Sequence, residues 1–452
     1  MPSPAGSFLS PERLRRARLG AALLFLVNGA VFANLLPRLP QIKDAFELSN
    51  SVYGFVVIAF PLGSLLAGTA PAPTMRRWGS GRTAVMGSVA IALMILLAGV
   101  SGGIGGGLLV LLAYIVPLML AGMLDAITDT AQNAQALDVQ RAMGRSILNS
   151  MHALWSLGSV IGGLMGTAAL ALQVPLAVHL AISGILFSAV AVFAGTRVLT
   201  MEEVARVRPL AESSAQQDAL PADGPEPAQD LPGLSEQDAP GVAAAAHEPS
   251  SGAASAATAS PGSAGPARRA VLMLLLISVV SITGVMVEDL GQNWSALYLS
   301  QVLEASATMA GLGLVALMCA QFIGRLLGDR MVDRLGHVTM ARLGAVGIAA
   351  GLGLVVAAPA PAAAVAGFFL AGLGSATLVP SAYHAADLVP GLRPGTGLAV
   401  VSWLMRGAFL SLSPFVGVVS DALGLRLAFL VIPVAAVLAV LAAGHLRQPA
   451  RT

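Results

Sequence analysis

The chain has 452 residues, 56% of them hydrophobic and only 11% charged, with a formal net charge of +2 and a mean hydropathy of +0.80. Soluble chains carry about 25% charged residues, so most of this one must be solvated by lipid. The weak net charge, with no basic run interleaved with aromatics, argues against a nucleic-acid partner; the single cysteine, Cys319, excludes an intramolecular disulfide and a cysteine-held zinc cluster.

A bilayer core of about 30 Å takes roughly 20 apolar residues at a helical rise of about 1.5 Å. Twelve runs of that kind follow one another, at about 19–37, 52–72, 83–101, 107–131, 146–171, 175–196, 270–299, 306–326, 339–358, 362–386, 396–419 and 424–445. The first lacks a small-residue cleavage site and runs into Pro37-Arg38-Leu39-Pro40, so it reads as an uncleaved span rather than a secretory signal. From Met201 to Pro266 the chain is rich in Ala, Pro, Ser, Gly, Asp and Glu without apolar periodicity, and disorder is expected there. The expected organisation is a tail (1–18), a six-helix bundle (19–197), a disordered linker (198–269), a second six-helix bundle (270–446) and a short tail (447–452).

The two halves repeat in order. An offset of 251 carries Gly144 onto Gly395 and Arg38 onto Asp289, whereas Trp78-Gly79 needs an offset of 257 to reach Leu335-Gly336. Arginines favour one side: Arg13, Arg15, Arg16, Arg18, Arg76, Arg77, Arg82, Arg141 and Arg145 in the first half, with those of the linker and later alternate loops, against only Arg38, Lys43 and Arg426 on the other. Positive charge stays cytoplasmic, which puts both termini in the cytoplasm of a bacterial cell whose inner membrane the chain crosses.

Each polar group inside a span costs about 2.5–3.5 kcal/mol if charged and so demands a reason. Asn28, Asn34 and Arg38 lie along the first span. Asp125, Asp129 and Asn133, spaced by four, share one face of the fourth, and His152 and Trp155 open the fifth. A carboxylate there can exchange protons as its surroundings change, the requirement for proton coupling; the alternative is a structural network with Arg141 or Arg145. The seventh span ends in Glu288-Asp289, with Asn293 four residues after Asp289 and Trp294 beside it. The 251-residue correspondence suggests a closing ion pair between Arg38 and Asp289, against the alternative that Arg38 snorkels to headgroups. His384 and Asp387 read as interfacial caps. Arg406, in the middle of the eleventh span, is the costliest residue and should face a cavity, meeting a buried carboxylate or an anionic substrate. The pairs Gly311/Gly313 and Gly351/Gly353 lie within apolar spans and read as helix packing, not nucleotide loops.

The run from Gly324 to Gly336, GRLLGDRMVDRLG, resembles the loop signature of the major facilitator superfamily, with Gly324, Arg325, Gly328, Asp329, Asp333, Arg334 and Gly336 as its members; the first half has Arg76-Arg77-Trp78-Gly79 instead, with Arg where the family usually has Asp. The stretches starting at Arg38, Asp129 and Glu288 resemble the MosC/YbjJ-like branch. The resemblance implies an all-α membrane protein of two six-helix bundles, rocking between inward-open and outward-open states around a cavity lined by spans one, four, seven and ten. In the fifth span Gly158-x3-Gly162-Gly163 partly resembles the glycine motif of drug/proton antiporters, but Ile161 precedes Gly162 and the motif's proline is missing.

The expected function is therefore secondary active transport of a small polar solute, sugar- or polyol-derived, coupled to protons, by a monomer without cofactor or metal. Asp125, Glu288, Asp289, Arg406 and Arg38 are the candidates for coupling and gating; Asn28, Asn34, Asp129, Asn133, His152, Trp155, Asn293 and Trp294 are those for the cavity. Alternatives are drug or metabolite efflux by antiport and a transport-silent sensor acting through the linker. No nucleophile elbow or HExxH is present to favour an enzyme.

Overall fold

The computed structural model describes residues 9–145, 147–207, 264–389 and 396–446. The expected disorder of 208–263 and the Gly395 end of the 251-residue repeat lie outside these residues. Within them eleven helices are long and apolar enough to cross a membrane, or twelve if one bent pair counts as a span.

The first span is α1 (Pro11–Ala33), a 3-10 turn (Leu36–Arg38) and α2 (Leu39–Ala45). Ser10 caps α1 by accepting the backbone N–H of Arg13 at 3.2 Å, and Pro11 follows at the first helical position, where its missing N–H costs nothing. The second span is α3 (Asn50–Val57) with α4 (Ala59–Leu66), bent by 62° from α5 (Pro71–Trp78). Then come α6 (Ser80–Ile104), α7 (Leu108–Met143), α8 (Leu148–Ala171) and α9 (Leu176–Gly195), with a short α10 at 201–207. The second half holds α11 (Ala264–Val302), α12 (Ala307–Ala357), α13 (Pro361–Ser375) with α14 (Leu378–Asp387), α15 (Thr396–Leu423), α16 (Leu425–Ala428) and α17 (Val431–Ala442).

Two sequence expectations shift. The linker does not start at 198, because Arg13 holds the chain beyond α9 against α1: its guanidinium donates to Glu203 Oε1 at 2.7 Å and Oε2 at 2.6 Å, and to the carbonyls of Arg197 and Val198. Those hydrogen bonds hold the Glu203 carboxyl below its usual range. The eighth and ninth spans run on as α12, broken only at Gly336, whose φ of 76° and ψ of 157° nearly repeat those of Gly79 (79°, 156°). Side chains at such angles are strained, which is why both loops turn on glycine. Two positions 257 residues apart therefore share one backbone conformation, as related halves require.

Glycine also sets how closely helices approach. Gly158 and Gly162 lie directly on the backbone of α1 at Leu26 and Ala30, and Gly29 lies on the Trp155 carbonyl, so the glycine run of the fifth span is a packing stripe between α1 and α8. The halves meet along two seams of the same kind. Gly54 of α3 lies against the Ser413 backbone of α15, and Gly311 of α12, 257 residues later, against Thr167 of α8.

At the distal end of the bundle, opposite the start of α1, the halves are tied by hydrogen bonds. The Asp421 carboxylate accepts the backbone N–H groups of Asn50 at 3.0 Å and Ser51 at 2.8 Å, thereby capping α3 from the other half.

Candidate functional site: a polar string across the seam

Three helices bring the first cluster together. Asn28 of α1 donates through Nδ2 to Asp125 Oδ1 of α7 at 3.0 Å, and its Oδ1 accepts from Trp155 Nε1 of α8, also at 3.0 Å. Such an amide between a carboxylate and an indole uses both its ends, and its orientation is fixed by them. The Arg325 guanidinium of α12 lies 6.0 Å from the Trp155 ring centre, donates to Ser156 Oγ at 3.0 Å and stands 3.8 Å from Glu288 Oε2 of α11. Glu288 Oε1 in turn accepts from Gln292 Nε2 at 3.2 Å. A string Asp125, Asn28, Trp155, Arg325, Glu288 thus joins a carboxylate in one half to a carboxylate in the other.

Arg325 is where reading it as part of a loop signature misled. Gly324 and Gly328 pack against Ala376 and Thr377, and Asp333 and Arg334 are exposed, but Arg325 turns into the seam. The side chain of Asp329 lies outside the described residues.

A second cluster closes the distal side. Asp289, 1% exposed, accepts Asn293 Nδ2 at 2.8 Å and Ser413 Oγ at 2.7 Å, and Ser413 accepts Trp294 Nε1 at 3.0 Å. Tyr53 of α3 packs edge-on to Trp294, ring centres 5.0 Å apart, and donates its hydroxyl to the Asn293 carbonyl. This carboxylate is surrounded by neutral donors. The expected pair with Arg38 is not formed in this conformation, because both partners are engaged elsewhere: Arg38 donates to Gln41 Oε1 and to the Val174 carbonyl, both at 2.9 Å. Arg38 is 1% exposed, so it does not snorkel to headgroups either. Asn34 beside it lies 2.9 Å from His179 Nε2.

The remaining candidates have local partners. Asn133 donates to Asp129 Oδ1 at 3.1 Å, His152 meets Phe25 edge-on at 5.3 Å, and Arg141 pairs with Asp138 rather than with Asp125 or Asp129. His384 stacks on His337 with ring centres 4.3 Å apart; the Asp387 side chain lies outside the described residues.

Arg406 is exposed and, among the described residues, makes no ion pair; the buried carboxylate expected beside it is absent in this conformation. Its direction follows from helix geometry. Ser413 and Gly417, seven and eleven residues on, lie within about 20° of its azimuth, and both pack against α3. Arg406 therefore lies on the face of α15 that meets the other half, two turns on the terminal side of the place where the halves touch. Arg406→Cys is expected to react with a membrane-impermeant thiol reagent at least about tenfold faster than Leu438→Cys on the outer face of α17; equal rates under the same conditions would place Arg406 in lipid. Sequence reasoning passed over Tyr53, Ser156, His179, Gln292, Ser413 and Asp421, since one polar residue in an apolar span has no periodic signal.

Comparison with known proteins agrees with this architecture. The family model of the Major Facilitator Superfamily matches residues 270–452. An uncharacterized transporter, y4wD, of Sinorhizobium fredii is 27% identical over 97% of this chain and 100% of its own. The chain is similar to transporters of the major facilitator superfamily, and its second half matches that family's model. The membrane protein MosC of Rhizobium meliloti is 31% identical over 34% of this chain and 38% of its own length, consistent with a place for this transporter in the MosC-like branch. The crystal structure of a D-xylose–proton symporter shares the fold, with a TM-score of 0.64 at 14% identity over 96% of this chain and 98% of that one.

Proposed function

We propose that this transporter moves a small polar solute, sugar- or polyol-derived, together with protons, by alternating access between the two halves. The observation that carries the reading is the string from Asp125 to Glu288 through Arg325. With both acids ionised its formal charge is −1, and one proton neutralises it. A proton on Asp125 removes its charge and so weakens the acceptor facing Asn28 Nδ2, and Trp155, at the other end of that amide, lies against Arg325. Protonation in one half is thereby felt at the seam with the other.

The distal ties at Tyr53 and Asp421, with Arg406 exposed on the α15 face two turns beyond them, support a conformation open toward the terminal end. The arginine excess at that end supports a cytoplasmic assignment for it, in a bacterial inner membrane. Asn293 on one side and Asn28 and Asp129 on the other are the groups offered to a hydroxylated solute, whereas Trp294 and Asp289 are buried and bonded within the distal closure. No cofactor enters, and the transporter acts as a monomer. A proton symporter of D-xylose with the same fold is in keeping with this reading.

The test is flux in reconstituted vesicles over sugars, polyols, amino acids and dyes, with and without a pH gradient. Gradient-dependent movement of a sugar or polyol is the expected result. Flux indifferent to the gradient refutes proton coupling, and flux of dyes alone replaces the reading with efflux.

A further inference from the structure

An open cavity of about 670 Å³ lies apart from the residues of the polar string, lined by Arg15, Arg18, Leu19 and Ala22 of α1, Met143 at the end of α7 and Arg145 just after it, Ser150, Met151, Ala153, Leu154 and Leu157 of α8, and Phe322 and Leu326 of α12. Its rim is basic and its floor apolar. The neighbouring arginines are neutralised, Arg13 by Glu203 and Arg16 by Glu12. Arg15, Arg18 and Arg145 make no ion pair among the described residues, and no carboxylate lines the cavity.

On α1, Leu19 lies nine residues from Asn28, which at about 100° per residue is the opposite side of the helix from the polar string. Leu19 and Leu326 are 47% and 61% exposed, so the cavity faces outward from the bundle. Arginines spaced three apart at the start of a membrane-spanning helix, followed one turn deeper by leucines, put three cations at headgroup depth above a surface made for acyl chains. A water-soluble anion would use the rim and leave the floor uncovered.

We propose that this cavity binds an anionic phospholipid, the phosphate held by Arg15, Arg18 and Arg145 and the chains lying on Leu19, Leu154, Leu157, Phe322 and Leu326. Because α1 and α8 belong to one half and α12 to the other, the lipid bridges the α8–α12 seam. Its occupancy then weighs on how the halves move, separately from any proton or solute.

The experiment is native mass spectrometry of the full chain released from bilayers of equal phosphatidylglycerol and phosphatidylcholine. A basic residue at an anionic surface contributes about fivefold in affinity. The wild-type chain is expected to retain phosphatidylglycerol over phosphatidylcholine, and the triple variant Arg15→Gln, Arg18→Gln, Arg145→Gln to lose that preference by at least about tenfold. A control triple at Arg76, Arg77 and Arg82, basic residues away from the cavity, should keep it, which separates the site from general surface charge. Equal losses in both triples, or no preference in the wild type, overturn the proposal. So does glycerol phosphate if it displaces the lipid completely, since the floor would then contribute nothing. A photo-crosslinker at Ser150 checks the remaining occupant: capture of residues from the acidic 208–263 segment in place of lipid also overturns it. None of these readouts depends on transport.

Discussion

Asp125→Asn is expected to abolish uphill accumulation of the solute while leaving exchange of solute for solute intact. One proton moved with each neutral solute lets a gradient of one pH unit, about 1.36 kcal/mol, sustain a tenfold concentration ratio. Two pH units therefore sustain about a hundredfold, which should fall to about onefold in the variant. Asparagine keeps the size of the side chain and can still accept from Asn28 Nδ2 through its carbonyl, so the cluster around Trp155 stays assembled and counterflow persists. What is lost is the ability to take and release a proton. Accumulation at the wild-type level by Asp125→Asn would remove that residue from the coupling step and leave Glu288 as the acid to test next. Loss of counterflow together with accumulation would instead mean that the carboxylate is needed to hold the helices. The Asp289→Asn variant separates two roles in the same assay. Asp289 is held by Ser413 and Asn293 on the distal side and, although it follows Glu288 in the chain, neither of these bonds goes to the string, so a purely structural acid there leaves the hundredfold ratio in place.

The membrane spans were legible from the sequence because lipid enforces them. Hydrophobic length and arginine asymmetry are imposed along the chain itself, and the glycines at 79 and 336 are imposed by a backbone angle that side chains resist. Contacts between helices follow a different rule. The offset that matched Arg38 to Asp289 gave each a height in the bundle but no azimuth, and the two side chains turn to different neighbours. Arg325 was hidden inside a loop signature because its sequence context is that of a loop while its side chain points back into the seam. Asn28 and Trp155 stood out as polar groups in spans, yet nothing in their spacing said that they bond to each other across 127 residues. The capping role of Asp421 was invisible for the same reason, since its partners are backbone groups of the other half.

Asp421→Ala combined with Tyr53→Phe is expected to open the distal side. In the conformation described here Asp421 takes two backbone N–H groups of α3, and the Tyr53 hydroxyl donates across to the Asn293 carbonyl. The opposite conformation must break all three bonds, so they weigh on one side of the equilibrium only. An exposed charge-assisted bond contributes less than a buried one; about 1 kcal/mol for Asp421 and about 1 kcal/mol for the tyrosine hydroxyl are reasonable. At about 1.4 kcal/mol per factor of ten, the pair shifts the populations by roughly 25-fold if the terms add. Spin labels at Asp44 near the end of α2 and Thr308 at the start of α12, exposed positions on the distal side of the two halves, read the separation directly. The double variant should move weight from the short to the long distance, and each single variant should move it part of the way. Separate measurement matters because Asn50 and Tyr53 sit one turn apart on α3, close enough for their effects to couple. If the distance distribution of the double variant matches the wild type, the three bonds are equally satisfied in both states and the closure is held by the glycine contacts of Gly54 and Gly417 instead. In that case Gly54→Ala, which places a methyl group against the Ser413 backbone, becomes the change that opens the distal side.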